Sequence, residues 1–333
     1  MQKAFSVAVS VRPSFPLRRF PLLVALAWSS HGLAQTAPAV PVASASLKPV
    51  LISGTRSERA VEDVPASTDV LTGEALNPAS VQDIRDLIKE LPNISVTRQP
   101  TRFGAAQTPV GREGNAGFNI RGLEGNRVLL LVDGIRVPQG LTNGSLGGAA
   151  FGRDYFDLGL ISRVELVRGA NSALYGSDGL AGSVAMYSTE PKDLLQPGQG
   201  LGGKAVFGVA ADDASTRLGL SLAGRASDSL QWLGSVQLGR AGALANQGSN
   251  DAQNSLRTTP NPQTDRQQAF LGKLVLTPSA SQKHIVTLEN VRKESEVEVY
   301  SGRTATAPTA SSVMDLDATS VAARSRLSWD AHF

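Results

Sequence analysis

The part of the chain that follows Gly203 alternates between polar and apolar residues with a period of two. Alternation in pieces of about ten residues is typical of strands that cross a membrane, because one side of each strand faces lipid and the other faces a lumen. A soluble β-sandwich would show the same alternation, so these strands alone leave both folds open. The clearest pieces are residues 217–224, 230–238, 269–276, 284–291 and 321–329.

Residues 204–333 have room for roughly six such strands, at about ten residues per strand plus turns. We interpret them as a partial β-barrel, because an open sheet edge in lipid leaves N–H and C=O groups unpaired at several kcal/mol each. We therefore expect the chain to be a truncated or split gene product. Most loops that would contact a substrate should then lie beyond Phe333.

Residues 1–34 have the pattern of a secretory signal peptide: a basic stretch, an apolar run from Phe20 to Trp28, and the small residues Gly32 and Ala34 before a cleavage point. The alternative, a membrane anchor, is disfavoured because the apolar run is shorter than the about 20 residues that a spanning helix needs. The leader holds four basic residues and no acid, so its removal changes the formal net charge from +3 to −1. A nearly neutral chain does not indicate a nucleic-acid partner.

The region between leader and strands divides into three parts. Residues 35–60 look like a linker, with a short extended run at 49–56 that could add to a partner's sheet or begin the next domain. Residues 61–191 mix short strands with one helix, predicted at 80–91 with Ser80 as its N-cap, and a hairpin that turns at Asp133-Gly134. Residues 192–203 form a glycine-rich connector. The fold class is thus an α+β domain followed by the first strands of an antiparallel transmembrane β-barrel.

The sequence lacks the residues that several kinds of catalytic or metal-binding site require. Cysteine is absent, and the three histidines His31, His284 and His332 are scattered, so we expect no catalytic triad, no metal site and no intrinsic cofactor. A G-x-G-x-x-G match at 198–203 is better explained as a flexible connector than as a nucleotide site, since no buried strand and helix flank it. We therefore predict that the chain is not an enzyme.

The order of motifs in the middle of the chain resembles the TonB-dependent outer-membrane receptor family. The residues that carry the resemblance are 49–56, which look like a TonB box, 86–96, Asn119-Ile-Arg-Gly122, 128–137, 161–169 and Ser172-Ala-Leu-Tyr-Gly176. By this resemblance residues 61–191 are a plug domain inside a barrel that has 22 strands in the family. The resemblance further implies a location in the cell outer membrane, contact with its lipid, and energised uptake through TonB with ExbB and ExbD.

The resemblance also assigns roles to individual residues. Arg121, Glu165 and Arg168 would contact the barrel from the plug. The TonB partner would bind the box at Pro49, Val50, Leu51, Ile52, Ser53 and Gly54.

The motifs at 111–115, 152–157, 173–179 and 188–191 look most like the haem and haemoglobin receptor branch. Haem or a haemoprotein is therefore the expected external ligand. A ferric-siderophore receptor, or a signalling or adhesion barrel that does not transport, is the alternative. Tyr155 is the plug residue that could reach haem iron, although packing of its own loop is the simpler role for it.

Overall fold

The structure is a computed structural model that describes residues 50–51, 59–60, 67–76, 83–96, 117–138, 156–170, 179–298, 300–302 and 317–332. These residues form two larger sheets and two small ones. We call the five-stranded sheet and the helix that packs on it the plug, and the six-stranded sheet the strand wall. Two pairs of short strands, β1 (Val50–Leu51) with β2 (Arg59–Ala60) and β4 (Ile94–Val96) with β5 (Phe118–Ile120), complete the set.

The plug sheet has the strand order β3-β8-β9-β6-β7. Its strands are β3 (Ser67–Thr72), β6 (Val128–Val132), β7 (Ile135–Arg136), β8 (Ile161–Arg168) and β9 (Gly182–Ser188). Only β6 and β9 are parallel, and all five residues of β6 are buried. A fully apolar interior strand such as β6 is expected where a sheet is covered on both faces. The predicted hairpin is confirmed, because Asp133 and Gly134 both have positive φ, as a two-residue hairpin turn requires.

Helix α1 (Ile84–Ile88) covers one face of the plug sheet. Its apolar stripe packs in the same buried cluster as Phe118, Val164 and Met186. The predicted start of this helix was wrong. The cap is Asp83, whose carboxylate accepts hydrogen bonds from the N–H groups of the next turn, while Ser80 lies outside the described residues. Asp83 directly precedes the first helical residue, so its carboxylate reaches the unpaired N–H groups of the first turn.

The strand wall consists of six antiparallel strands, each paired with the next in sequence. They are β10 (Leu201–Ala210), β11 (Ser215–Arg225), β12 (Leu230–Gly242), β13 (Gln263–Ser279), β14 (Gln282–Glu298) and β15 (Asp317–His332). The alternation read from the sequence is confirmed in these strands. β10 begins inside the segment that we interpreted as a connector, and Gly198 before it lies in a turn with positive φ rather than between a strand and a helix.

The two faces of the strand wall differ. The inner face contacts the plug and is largely buried, whereas the outer face exposes large apolar side chains. Leu327 and Trp329, for example, are 76% and 70% exposed. Among the described residues no helix is long and apolar enough to cross a membrane.

The two ends of the strand wall are distinguished by their connections. Residues 226–229 and 280–281 connect strands at one end, and residues 211–214, 243–262 and 299–316 connect them at the other, which therefore has both of the long connections. Short turns face the periplasm and longer loops face outward in bacterial outer-membrane barrels. By the expectation of an outer-membrane barrel, we call the end with the short turns the periplasmic end and the end with the long connections the external end.

Candidate functional site: the interface between plug and strand wall

An apolar seam holds the plug against the middle of the strand wall. Leu160 of the plug and Leu195 of the connector are buried with five small or aliphatic side chains of the inner face. Those side chains are Ala223, Leu233, Ala269, Leu271 and Val291. Nearly complete burial of apolar side chains on this scale stabilises the contact by roughly 1.5–3 kcal/mol for each large aliphatic residue. On either side of the seam, polar contacts join the plug to the strand wall.

On the periplasmic side, Asp133 is the plug residue at which the wall's cations converge. Its carboxylate accepts hydrogen bonds from the N–H (2.8 Å) and the hydroxyl of Ser188 within the plug. It also accepts a hydrogen bond from the Arg326 guanidinium of the wall and lies 3.8 Å from the Lys273 ammonium. Burial raises the pKa of the Asp133 carboxyl, but the charges of Lys273 and Arg326 and the hydrogen bonds outweigh burial and hold that pKa below 3.8.

The wall's cations have partners besides Asp133. The Arg326 Nε donates to the Glu289 carboxylate at 2.9 Å, and Arg324 donates to the same carboxylate at 2.7 Å. The side chain of Lys273 is only 3% exposed, and its ammonium donates to the Ser188 carbonyl at 2.9 Å. Since the wall keeps two of its arginines on its own Glu289, it retains part of this network without the plug.

A second clamp lies where the plug passes into the connector. The Lys283 ammonium donates to the Glu190 carboxylate at 2.8 Å, next to the periplasmic turn at 280–281. Burial raises the pKa of the Glu190 carboxyl. The hydrogen bond from Lys283 and the charge of Lys192 lower that pKa by more, so it lies below 4.5. Thr189 between these contacts donates from its N–H to the Leu160 carbonyl at 2.8 Å, which fixes this segment to the apolar seam.

On the external side, amides replace the ion pairs. The Gln267 amide donates to the Asp157 carboxylate, and the Gln237 amide donates to the Gly159 carbonyl at 3.4 Å. A cavity of about 110 Å³ opens beside these contacts, with Arg217 and Lys293 among its lining residues. Ligand pockets for drug-sized molecules span about 300–1,000 Å³, so this cavity has room for water or a small anion and not for a haem.

The residues assigned to barrel contacts from the sequence have other neighbours in the structure. Arg168 donates to Asp69 and, at 2.8 Å, to Ser67, which ties β8 to the edge strand β3 inside the plug. Glu165 is fully buried and pairs with Arg163 at 3.2 Å in the same sheet.

Arg121 is exposed with φ +52°, and its N–H donates to the Asn93 carbonyl of the plug region at 3.1 Å. For all three residues, contact with further barrel strands stays a prediction.

The wall contacts that the structure does show were missed by sequence reasoning. Asp133 was predicted only as a turn residue and Lys273 and Arg326 only as strand residues, while Lys283 directly precedes a predicted strand. A local signal for the three cations exists in the sequence. Lys273, Lys283 and Arg326 each lie on the inner side of an alternating strand, where a buried charge needs a partner. Which plug residue supplies that partner depends on chain segments more than 90 residues apart.

The other predicted contacts lie largely outside the described residues. Of the proposed TonB box, the structure describes Val50 and Leu51, which pair with Arg59 and Ala60 and not with the plug sheet. Tyr155 lies outside the described residues, directly before Phe156, a buried residue that lines the cavity. The roles of the box and of Tyr155 therefore remain predictions.

Comparison with known proteins identifies relatives that match part of the chain. Residues 60–183 match the family described as TonB-dependent Receptor Plug Domain. A hemin receptor of Yersinia pestis is 31% identical over 179 residues, which are 54% of this chain and 24% of that protein. The vitamin B12 transporter BtuB of Vibrio vulnificus is 33% identical over 140 residues, which are 42% of this chain and 20% of that protein. The chain thus spans between a fifth and a quarter of the length of these relatives.

Among solved structures, the siderophore receptor PirA from Acinetobacter baumannii resembles the fold with a TM-score of 0.54. The likeness covers 79% of this chain and 37% of that chain, at 19% sequence identity. It therefore extends past the plug and supports the shared arrangement of plug and antiparallel strands.

Proposed function

The chain belongs to the TonB-dependent outer-membrane receptor family, and from this premise we propose that it serves the energised uptake of an iron source, with haem or haem drawn from haemoglobin as its cargo. The observation that carries the proposal is the plug seated by ion pairs on the inner face of a strand wall whose outer face is apolar. Outside the apolar seam the plug is held to the wall by polar contacts, so its release would expose the seam and otherwise mainly polar groups. TonB is the proposed partner that pulls on residues 49–56 from the periplasm.

The haem assignment rests on the hemin receptor among the relatives. The similarity to a vitamin B12 transporter shows that likeness in the plug alone does not select the cargo. Cargo contacts would come mainly from external loops, with the plug providing closure and transmission. No intrinsic cofactor is proposed.

Growth on haemin as the sole iron source tests the proposal. A host strain that lacks its own haem receptor should grow on haemin or haemoglobin when it carries the receptor. It should fail when the receptor carries Leu51→Pro in the proposed TonB box. Growth on a ferric siderophore but not on haemin would select the alternative cargo. Cargo binding without accumulation inside the cell would favour a receptor that signals or adheres.

A further inference from the structure

The inner face of the strand wall carries more cations than acids among the residues that the structure describes. Strand register determines which side chains share this face, because directly opposed residues of antiparallel neighbours point the same way. The inward cations are Lys204, Arg217, Arg225, Lys273, Lys283, Lys293, Arg324 and Arg326, and the inward acids are Asp265, Glu289 and Asp330.

Five of these cations form a column on the three adjacent strands β13, β14 and β15. Register orders them from the periplasmic end to the external cavity, with Glu289 beside the middle of the column. The column comprises Lys283, Lys273, Arg326, Arg324 and Lys293. Lys283 and Lys293 lie ten positions apart on β14, which corresponds to about 34 Å along an extended strand.

The plug neutralises this column with acids. Asp133 forms ion pairs with Lys273 and Arg326, and Glu190 forms one with Lys283. Each of these three ion pairs joins an acid of the plug to a cation of the wall. If the plug moves, Lys273 loses both Asp133 and the Ser188 carbonyl. Arg326 and Arg324 stay on Glu289, so the wall keeps its order while its inner face becomes positively charged.

We propose that the column, which in the following we call the cation column, is a path for an anionic small molecule that opens when the plug moves. This inference rests on the proposed function, since it requires a plug that moves, and it narrows the cargo to molecules that carry carboxylates or similar anionic groups. Carboxylates are complementary to such a path because arginine and lysine bind them through charge-assisted hydrogen bonds. A lumen lined by one sign of charge also concentrates the opposite ion. Haem, with its two carboxylates, belongs to this class.

Cysteine labelling of the receptor in the outer membrane of intact cells tests the proposal. Residues 1–333 contain no cysteine, and with any cysteine elsewhere in the receptor replaced by serine, a single introduced thiol reports one place. Thr287 is 1% exposed, points inward and lies directly opposite Lys273, and its neighbour in register is Ser328. Thr287→Cys is the first reporter, and Ser328→Cys is a second in case the first disturbs folding.

Two methanethiosulfonate reagents are compared, one with an anionic sulfonate and one with a cationic trimethylammonium group. Each rate is normalised to the rate of that reagent with a free thiol. In energised cells that contain TonB, the anionic reagent should react at least about tenfold faster, and the preference should fall as salt is added. Lys273→Gln combined with Arg326→Gln should reduce the ratio to about one.

A matched control is Arg292→Gln, which removes a cation from the outer face of β14, the strand that carries the Thr287 reporter. This change should leave the ratio unaltered. Equal rates for the two reagents in energised cells would overturn the cation column while leaving the moving plug intact. An absence of labelling with and without TonB at both reporters would mean that the plug stays seated, which overturns both the proposed function and the inference.

Discussion

Asp133 occupies the first position of a two-residue turn, with φ +47° followed by Gly134 at +76°. Its N–H donates to the Met186 carbonyl at 2.8 Å, and its carboxylate binds Ser188 and the wall's Arg326. The backbone of the turn therefore aims the carboxylate, because the left-handed conformation fixes the direction of the side chain. One residue joins β6, β9 and the strand wall.

Asp133→Asn should destabilise the folded chain by about 3 kcal/mol, because removing one member of a buried ion pair leaves Lys273 buried with a lost charge partner. Urea unfolding of the detergent-solubilised chain, followed by circular dichroism, measures the change. Asp212→Asn is the matched control, since Asp212 is exposed in the turn between β10 and β11 and should change stability by less than about 0.5 kcal/mol. Equal effects of the two substitutions would contradict the role of Asp133.

The lowered pKa of Asp133 predicts a dependence of stability on pH. Its folded-state pKa lies below the ordinary 3.8, so its contribution is complete above the unfolded pKa and disappears as the pH falls through the folded value. The same urea titration should therefore show little change from this group between about pH 7 and 5 and a loss below about pH 4. The Asp133→Asn chain should lose less stability over the acid range. Parallel curves for the two chains would show that Asp133 does not contribute in this way.

At the scale of single residues, local chemistry could be predicted from the sequence and distant contact could not. The Asp133-Gly134 turn was predictable because two residues with positive φ have a strong composition signal. The carboxylate's partners were not, since Lys273 and Arg326 follow it by 140 and 193 positions. The partner of Arg168 within the plug was likewise not predicted: Asp69 on the neighbouring strand β3 pairs with its guanidinium, and its contact with further barrel strands stays a prediction.

Among the elements, β9 is held closely against β8 at its first residue. Gly182 has φ +147°, and a Cβ there would lie 2.1 Å from the Val167 carbonyl oxygen. Strand β8 cannot withdraw without breaking its pairing with both β3 and β9. A glycine at this position is therefore required by the sheet itself.

Gly182→Ala should destabilise the plug by about 1–3 kcal/mol or more, since the new methyl group meets backbone and the φ is strained. Protease sensitivity of the plug as a function of urea gives the measurement. Gly234→Ala is the control, because a Cβ at that β12 position meets nothing within 4 Å. The close contact would be refuted by a Gly182→Ala plug that resists protease as well as the unchanged chain.

Leu51→Pro is predicted to weaken binding of the TonB C-terminal domain by at least about tenfold. Strand addition depends on main-chain hydrogen bonds, and proline removes a donor and fixes φ. A pull-down with peptides that span residues 41–60 measures the effect, and Ala45→Pro, upstream of the box, should leave binding unchanged. Undiminished binding by the Leu51→Pro peptide would remove the box assignment.

Element type was predictable where a periodic pattern persisted over many residues, and boundaries were not. Strands β11 to β14 alternate over eleven or more residues, so the wall could be read directly from the sequence. Helix α1 is only five residues long, and the apolar spacing that suggested twelve continues past its end into Leu91. Leu91 still packs on the same core from a turn, so burial alone does not mark where a helix stops.

On the scale of the whole molecule, the strand wall separates two environments. Along β14 the outer face carries Val286 and Leu288 towards the periplasmic end and Arg292 and Glu294 towards the external end. An apolar band bounded by charged residues is what a lipid bilayer requires of a wall that faces it. The inner face, in contrast, combines the apolar seam and a few other buried apolar residues, such as Val275 and Ile285, with polar and charged side chains.

The exposed outer face makes the behaviour of the purified chain predictable. Contiguous apolar surface of this extent is unstable in water, so the chain should aggregate without detergent and become monodisperse with it, as size-exclusion chromatography with light scattering would show. Trp232 and Trp329 lie on this face in the same register row, so a brominated detergent should quench the tryptophan emission.

Trp329→Phe separates this prediction from nonspecific binding of detergent. Trp329 is 70% exposed and partly stacks on His284, with ring centroids 6.1 Å apart, so its removal should reduce the quenched fraction of the emission without changing the elution of the detergent-bound chain. Quenching that depends on the outer-face tryptophans would place detergent where lipid is expected. A monodisperse monomer in the absence of detergent, with emission insensitive to brominated detergent, would contradict a membrane-facing wall, because apolar side chains in that case would be covered by the chain itself.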